Sequence, residues 1–183
     1  MKTKDMILVA LFAVLTTIGA KISIPTPIVP FTVQFLFVAL SGILLGSRLG
    51  TMSQILYVGM GLLGLPVFAT GGGLGYVIKP TFGFLIGFIL CAYVIGKLCE
   101  TEDLTALKTL VSAFLGLLVL YVFGVGYLFL INNLYMGKIL TFFEVVTIGF
   151  LYKILLDIGW CIVISIIAPR LKAILVNGKV LGR

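Results

Sequence analysis

The sequence has few of the residues from which most enzyme and metal sites are built. It contains no histidine, the commonest general base and a frequent metal ligand. Only 10% of its residues are charged, whereas soluble domains average about 25%. The three cysteines, Cys91, Cys99 and Cys161, form no CxxC pair and lie in or at the ends of apolar runs. We expect them to be reduced apolar side chains, and these absences argue against a catalytic or metal site.

Apolar residues dominate the chain instead. Of the 183 residues, 61% are hydrophobic, and the mean hydropathy is +1.29. This composition predicts an integral membrane protein, and the length predicts a single domain over residues 1–183. The net charge is +7, but the basic residues are scattered at the ends of apolar segments rather than clustered. We therefore expect no nucleic-acid partner.

Six apolar segments predict an all-α fold with six transmembrane helices. The segments are residues 6–24, 31–46, 51–65, 81–98, 104–131 and 143–168. A hydrocarbon core of about 30 Å requires roughly 20 residues per helix, so the second and third segments are short. We expect these two helices to pack against neighbouring helices or to begin inside the protein. Either arrangement is compatible with a cavity beside them. Pro169 is expected to end the last helix.

The distribution of basic residues predicts the orientation. An even number of spans puts both termini on one side, and an uncleaved first helix is favoured over a signal peptide. That side would hold Lys2, Lys4, Arg48, Lys97, Lys108, Arg170, Lys172, Lys179 and Arg183. The other side would hold Lys21, Lys79, Lys138 and Lys153. The positive-inside rule therefore places both termini in the cytoplasm of a cell inner or plasma membrane.

A glycine-rich stretch, residues 64–84, separates the third and fourth segments on the predicted outer side. Backbone at membrane depth must bond to protein or water, so this stretch is either a plain loop or a cover over a cavity. It lacks the Walker spacing of a nucleotide loop. Lys79 follows Tyr76 in this stretch and is either a snorkelling interface lysine or a cation for a carboxylate. In the second case the N–H groups of Gly73 and Gly75 would lie beside the ligand.

Asp157 is an ionisable residue inside the last apolar segment. Lys153 precedes it by one turn and Trp160 follows by about one turn, so the three share a helix face. Charges within a spanning helix are costly and mark a functional site by default. The alternative is a self-neutralising Lys153–Asp157 pair that only locks helix packing, and we favour the functional interpretation. Trp160 is either a packing residue or an aromatic wall for a ligand.

Two glutamines lie inside the second and third segments. Gln54 is expected to hold helices together through a hydrogen bond, and Gln34 lies near the outer end, where it could reach a ligand. The first helix carries a face of small side chains, which are Ala10, Ala13, Thr17 and Ala20. This face serves either packing within the protein or docking of a partner membrane protein.

Several of these stretches together resemble the BioY family. They are residues 20–34 (AKISIPTPIVPFTVQ), 44–50 (LLGSRLG), 64–68 (GLPVF) and 72–76 (GGLGY) with Pro80-Thr81. The resemblance is dense over residues 10–98, weakens in the fifth segment and returns at Asp157 and at residues 168–171 (APRL). Members of this family are biotin-binding S components, the specificity subunits of energy-coupling factor (ECF) transporters.

The resemblance implies a six-helix S-component bundle with an extracytoplasmic ligand cavity. Biotin would be the ligand, its ureido ring pairing with Asp157 and its carboxylate lying toward Tyr76 and Lys79. The small face of the first helix would dock a transmembrane coupling protein (T component), itself bound to two ABC-type ATPases. The chain has no ATP-binding motif, so ATP hydrolysis would occur on those partners.

The sequence also departs from the family pattern. The family usually has Pro-Gly before the aspartate and a lysine three residues after it, where this chain has Leu155-Leu156 and Trp160. Lys153 is the candidate for the missing cation. The alternatives are an S component or stand-alone carrier for another small vitamin or biotin precursor, and a ligand-free membrane assembly subunit. The assembly subunit would have a collapsed interior beneath the glycine-rich stretch.

Overall fold

The computed structural model of the chain describes residues 2–24, 29–101, 104–135, 137, 141–147 and 152–177. Three basic residues used in the orientation prediction, Lys138, Lys179 and Arg183, lie outside these ranges. So do residues 25–28 of the first family-like stretch.

The described residues form an all-α membrane fold. The helices are α1 Thr3–Lys21, α2 Gln34–Leu62, α3 Phe82–Cys99, α4 Ala106–Leu134, α5 Phe142–Val146 and α6 Tyr152–Asn177. Five of them, all but α5, are long and apolar enough to cross a membrane. Two short antiparallel strands, β1 Ser23–Ile24 and β2 Phe31–Thr32, join α1 to α2. The predicted membrane class and all-α fold are confirmed.

Helix α2 reverses direction at Gly46. This residue has a positive φ of 81°, which glycine adopts without steric cost. The Gln54 Nε2 atom lies 3.3 Å from Ser41 Oγ, although 13 residues of straight helix would span about 20 Å. Residues 34–45 and 47–62 therefore lie side by side as two antiparallel halves. These halves correspond to the predicted second and third segments, with their boundaries shifted by up to four residues.

The second half of α2 begins at a carboxylate cap. Glu100, just after α3, accepts hydrogen bonds at Oε1 from the Ser47 backbone N at 2.8 Å and from Ser47 Oγ at 2.5 Å. Negative charge at a helix N-terminus is stabilising because the backbone N–H groups there have no partner within the helix. The hydrogen bonds from Ser47 hold the pKa of Glu100 below its ordinary value of 4.5.

Replacing Glu100 with glutamine is expected to lower the free energy of unfolding by about 0.5–1 kcal/mol at neutral pH, because the charge of the cap is lost. A lowered pKa stabilises the fold above the ordinary value of 4.5, and that contribution disappears as the pH falls through the lowered pKa. Thermal melts of both proteins in detergent at neutral pH and well below pH 4.5 check this. A difference between the two proteins that persists unchanged in acid would contradict it.

Glycines allow α2 and α3 to approach with their backbones nearly in contact. A Cβ added at Gly42 would lie 2.6 Å from the Ala92 carbonyl oxygen, and one at Gly96 would lie 2.5 Å from the Ser47 Cα. Close approach of this kind is typical of membrane helix pairs. Gln54 is fully buried and its Nε2 also lies 3.3 Å from Thr16 Oγ1 of α1. Its predicted role in joining helices is confirmed.

The prediction that Pro169 ends the last helix is wrong. Helix α6 continues through Pro169 to Asn177. Proline interrupts one backbone hydrogen bond, but membrane helices tolerate it where neighbouring groups satisfy the freed carbonyl. The predicted start at residue 143 falls in the short helix α5, and residues 148–151 between the two helices lie outside the described ranges.

Candidate functional site

A cavity lies beneath the glycine-rich stretch at the end of the bundle where α2 begins and α3 begins. The space between its lining residues amounts to about 400 Å³ when the open mouth to solvent is counted. Its walls are mostly apolar and aromatic with a few polar groups. They consist of Val29, Pro30, Thr32, Gln34, Tyr57, Ala69, Tyr76, Thr81, Phe84, Leu85, Phe88 and Lys153. Such a lining suits a small, largely apolar ligand with a few polar atoms.

The glycine-rich stretch folds over this cavity. It contains a tight turn closed by the Phe68 N–H donating to the Gly71 carbonyl at 3.0 Å, followed by a 3-10 helix over Leu74–Ile78. Gly73 has a φ of 99° and donates its N–H to the Gly61 carbonyl at 2.7 Å, which ties the stretch to α2. This cover contributes Ala69, Tyr76 and Thr81 to the lining of the cavity.

Phe68 anchors the cover in the protein interior. Its side chain is fully buried, with ring centroids 5.5 Å from Tyr57 and 4.4 Å from Tyr76. Lys21, the last residue of α1, donates a hydrogen bond from Nζ to the Phe68 carbonyl at 2.9 Å. Because Tyr57 and Tyr76 both line the cavity, the position of Phe68 determines the shape of that wall.

Polar groups line the cavity near the start of α2. Gln34 is the first residue of α2 and donates from Nε2 to the Tyr57 hydroxyl at 2.8 Å. The Tyr76 hydroxyl accepts hydrogen bonds from Thr70 Oγ1 at 3.3 Å and Thr81 Oγ1 at 3.4 Å. Gln34 and Tyr76, both predicted to contact a ligand, therefore lie in the cavity wall.

A buried ion pair forms the α6 side of the site. Lys153 Nζ lies 2.6 Å from Asp157 Oδ2, and the Tyr121 hydroxyl donates to the same oxygen at 2.7 Å. Lys153 lines the cavity, whereas Asp157 is fully buried and lies outside the set of lining residues. Among the described residues, no hydrogen-bond partner is present for Asp157 Oδ1 or for Trp160 Nε1. The helix spacing thus brings Lys153 and Asp157 together, and Trp160 packs against the core without lining the cavity.

Lys79 and its neighbouring glycines lie beside the cavity rather than in its wall. Lys79 is exposed, donates from Nζ to the Thr70 carbonyl at 3.1 Å and stands 4.7 Å from the centroid of the Tyr76 ring. Neither Lys79, Gly73 nor Gly75 belongs to the lining. Lys79 nevertheless contacts Thr70 and Tyr76 of the cover, and Tyr76 lines the cavity.

The small-residue face of α1 is divided between inside and outside. Ala13 and Ala20 are fully buried in the bundle, whereas Ala10 is exposed and Thr17 is half-buried. The outward surface of α1 also carries large apolar side chains, including Ile7, Leu11, Val14 and Ile18. Of the four small residues, only Ala10 and Thr17 are available to a partner on the outer face.

Sequence reasoning missed several residues at the site. Tyr57 and Tyr121 contribute hydroxyl groups to the wall and to the ion pair, and Thr32 contributes from β2. Each of the two tyrosines lies in the middle of an apolar segment. A buried hydroxyl needs a hydrogen-bond partner, so this position could have indicated a polar contact for both residues. Lys21 contributes a hydrogen bond to the cover, whereas its position in the sequence predicts only a charge that bears on orientation.

Comparison with known proteins gives concordant matches. The family model described as "BioY family" matches residues 1–177. A protein named "Probable biotin transporter BioY" from Lysinibacillus sphaericus is 44% identical over 170 residues, covering 92% of this chain and 87% of that protein. "Biotin transporter BioY" from Thermotoga maritima is 40% identical over 170 residues, covering 92% of this chain and 96% of that protein.

A solved structure has the same fold. It is the crystal structure of the S-component for biotin from an ECF-type ABC transporter, with a TM-score of 0.81. The match covers 94% of this chain and 92% of the solved chain at 24% sequence identity. The described helices therefore have the same fold as that solved chain.

Proposed function

Because this chain belongs to the BioY family, we propose that it is the biotin-binding specificity subunit of an ECF-type vitamin uptake transporter. It captures biotin on the extracytoplasmic side and releases it inward when coupled to partner subunits. The observation that best supports the proposal is the cavity beneath residues 64–84, which has the buried Lys153–Asp157 pair on one side and aromatic side chains on the other. Its relatives are named as transporters, which agrees with the expectation that the chain is not an enzyme.

The chemistry of the cavity matches that of biotin. Biotin has an apolar bicycle, a ureido group with two N–H donors and one carbonyl acceptor, and a carboxylate on a flexible chain. Phe84, Leu85 and Phe88 supply apolar surface for the bicycle. In the proposed orientation the ureido ring lies toward Lys153 and Asp157. The carboxylate lies toward the cover, where Tyr76 and Lys79 stand, and Gln34 and Trp160 complete the proposed set with Gly73 and Gly75.

We propose that the chain crosses the membrane six times as a single domain over residues 1–183. In this arrangement the two halves of α2 act as separate spans, and the cavity opens to the extracytoplasmic side. Both termini lie in the cytoplasm of the inner or plasma membrane. The nine-to-four distribution of basic residues in the sequence supports this orientation.

The proposed partners are a transmembrane T component and two ABC-type ATPases. The sequence carries no ATP-binding motif, so any ATP hydrolysis that drives release would occur on another subunit. Docking would use α1, where Ala10 and Thr17 lie toward the outer face and the fully buried Ala13 and Ala20 allow α1 to pack closely on α2.

Equilibrium binding of labelled biotin to the purified chain tests the proposal. Saturable binding at one site per chain, without partners or ATP, is the expected result. A thermal-shift scan over small vitamins and dethiobiotin identifies the preferred ligand, because a ligand that binds only the folded state raises the apparent melting temperature. Folded protein that binds no biotin, or that is stabilised only by another vitamin, would contradict the proposal.

Replacing Lys79 with methionine is expected to weaken biotin binding about threefold to fivefold, because an exposed charge pair contributes less than about 1 kcal/mol. The same substitution should leave the affinity for biotin methyl ester unchanged, since the ester lacks the carboxylate. Lys97→Met removes an exposed lysine at the opposite end of α3 and serves as the control. Equal losses for biotin and its ester would contradict a role for Lys79 at the carboxylate.

A further inference from the structure

Tyr121 of α4 reaches a carboxylate that lies 36 residues further along the chain. Its hydroxyl donates to Asp157 Oδ2 at 2.7 Å, and Lys153 Nζ donates to the same oxygen at 2.6 Å. Both side chains of this tyrosine–aspartate pair are buried, so water does not compete for the bond. Hydrogen bonds to an ionised group in such surroundings are short and strong.

Lys153, Asp157 and Tyr121 lie at different distances from the cavity. Only Lys153 lines the cavity, and Asp157 and Tyr121 lie behind it. The Lys153 ammonium is 5.8 Å from the centroid of the Tyr121 ring. That ring also packs edge-to-face against Phe84, another wall residue, with centroids 6.1 Å apart. Tyr121 therefore supports the wall from behind through both its ring and its hydroxyl.

The two oxygens of the carboxylate are used unequally. Oδ2 accepts from both Tyr121 and Lys153, whereas Oδ1 has no hydrogen-bond partner within the described part of the chain. The Tyr121 hydroxyl comes from α4, which packs against α6, so its hydrogen bond fixes the direction in which the carboxylate points. Lys153 donates to the same oxygen, so the position of its ammonium depends on that direction.

We propose that Tyr121 is a positioning residue of the ligand site. Through Asp157 it holds the Lys153 ammonium at the cavity wall, where the ammonium donates a hydrogen bond to an acceptor oxygen of the ligand. This inference rests on the proposed function, which makes the acceptor the ureido oxygen of biotin. Neither Tyr121 nor Asp157 needs to contact that oxygen directly.

Tyr121→Phe keeps the ring contacts with Phe84 and Lys153 and removes only the hydroxyl. We expect it to weaken the binding of labelled biotin by about 10-fold or more, as for the loss of a hydrogen bond to a charged group. Tyr93→Phe, on the exposed face of α3, is the matched control and should bind as wild type does. Wild-type affinity in Tyr121→Phe would overturn the inference and leave the proposed function standing.

A double-mutant cycle separates positioning from general destabilisation. In an Asp157→Asn background the Tyr121→Phe change should weaken biotin binding by less than about 2-fold, because its effect passes through the carboxylate. The loss caused by Tyr121→Phe should also be smaller for thiobiotin, whose ureido oxygen is replaced by a weaker acceptor, and unchanged for biotin methyl ester. Additive losses, or equal losses for biotin and thiobiotin, would overturn the inference. Absence of biotin binding by the wild-type chain would overturn both the inference and the proposed function.

Discussion

Replacing Asp157 with alanine is expected to lower the free energy of unfolding by about 3–5 kcal/mol and to weaken biotin binding by more than about 30-fold. The substitution leaves Lys153, a residue that is only 6% exposed, without the counter-ion of its ammonium group. It also removes the acceptor for the Tyr121 hydroxyl. Chemical or thermal unfolding in detergent and equilibrium binding of labelled biotin measure the two effects.

A double variant separates the effect on stability from the effect on the ligand. Lys153→Met with Asp157→Leu removes both charges and keeps apolar volume, and such replacements of buried ion pairs are often neutral or stabilising. We expect the double variant to recover most of the lost stability without recovering biotin binding. If it bound biotin as tightly as wild type, the pair would be only a packing lock, which is the alternative raised by the sequence.

Replacing Gly61 with alanine is expected to lower the free energy of unfolding by about 1–3 kcal/mol and to weaken biotin binding by about 10-fold. A Cβ at this position would overlap the ring of Phe68. Phe68 is fully buried, so the ring has no free space into which it could move without shifting its neighbours. Displacing it would alter the positions of Tyr57 and Tyr76, which line the cavity.

Helix α2 offers a matched control for this substitution. A Cβ at Gly59 would meet no atom within 4 Å, so Gly59→Ala should bind biotin normally and gain up to about 1 kcal/mol of helix stability. Combining Gly61→Ala with Phe68→Leu should restore much of the stability, because the overlapping ring is removed, but not the affinity. Normal binding by Gly61→Ala alone would show that Phe68 does not shape the site.

The sequence predicts best those features that depend on local spacing. Lys153 and Asp157 are four residues apart in an apolar segment, so their contact follows from helix geometry once the segment is recognised as a helix. Composition likewise indicates the apolar segments; the observed boundaries differ by up to four residues for the first five segments and by nine residues at each end of the last. The cover over the cavity was one of two alternatives that the glycines allowed, and composition alone could not choose between them.

Features that depend on how distant segments pack were not predictable from spacing. The bond from Tyr121 to Asp157 requires α4 to lie against α6 in one particular register. Lys79 and Tyr76 are neighbours in sequence, yet only the tyrosine lies in the wall, because its ring packs on Phe68 while the lysine turns to Thr70. Local propensity predicts that a helix ends at Pro169, but α6 continues through this residue to Asn177.

The most direct test of the account is a structure of the chain determined with biotin. The account predicts biotin in the cavity beneath residues 64–84, with its bicycle against Phe84 and Phe88. Its ureido oxygen should lie within hydrogen-bond distance of Lys153 Nζ. Biotin bound at another place, or a cavity filled by the chain's own side chains with Lys153 turned away from it, would contradict the account.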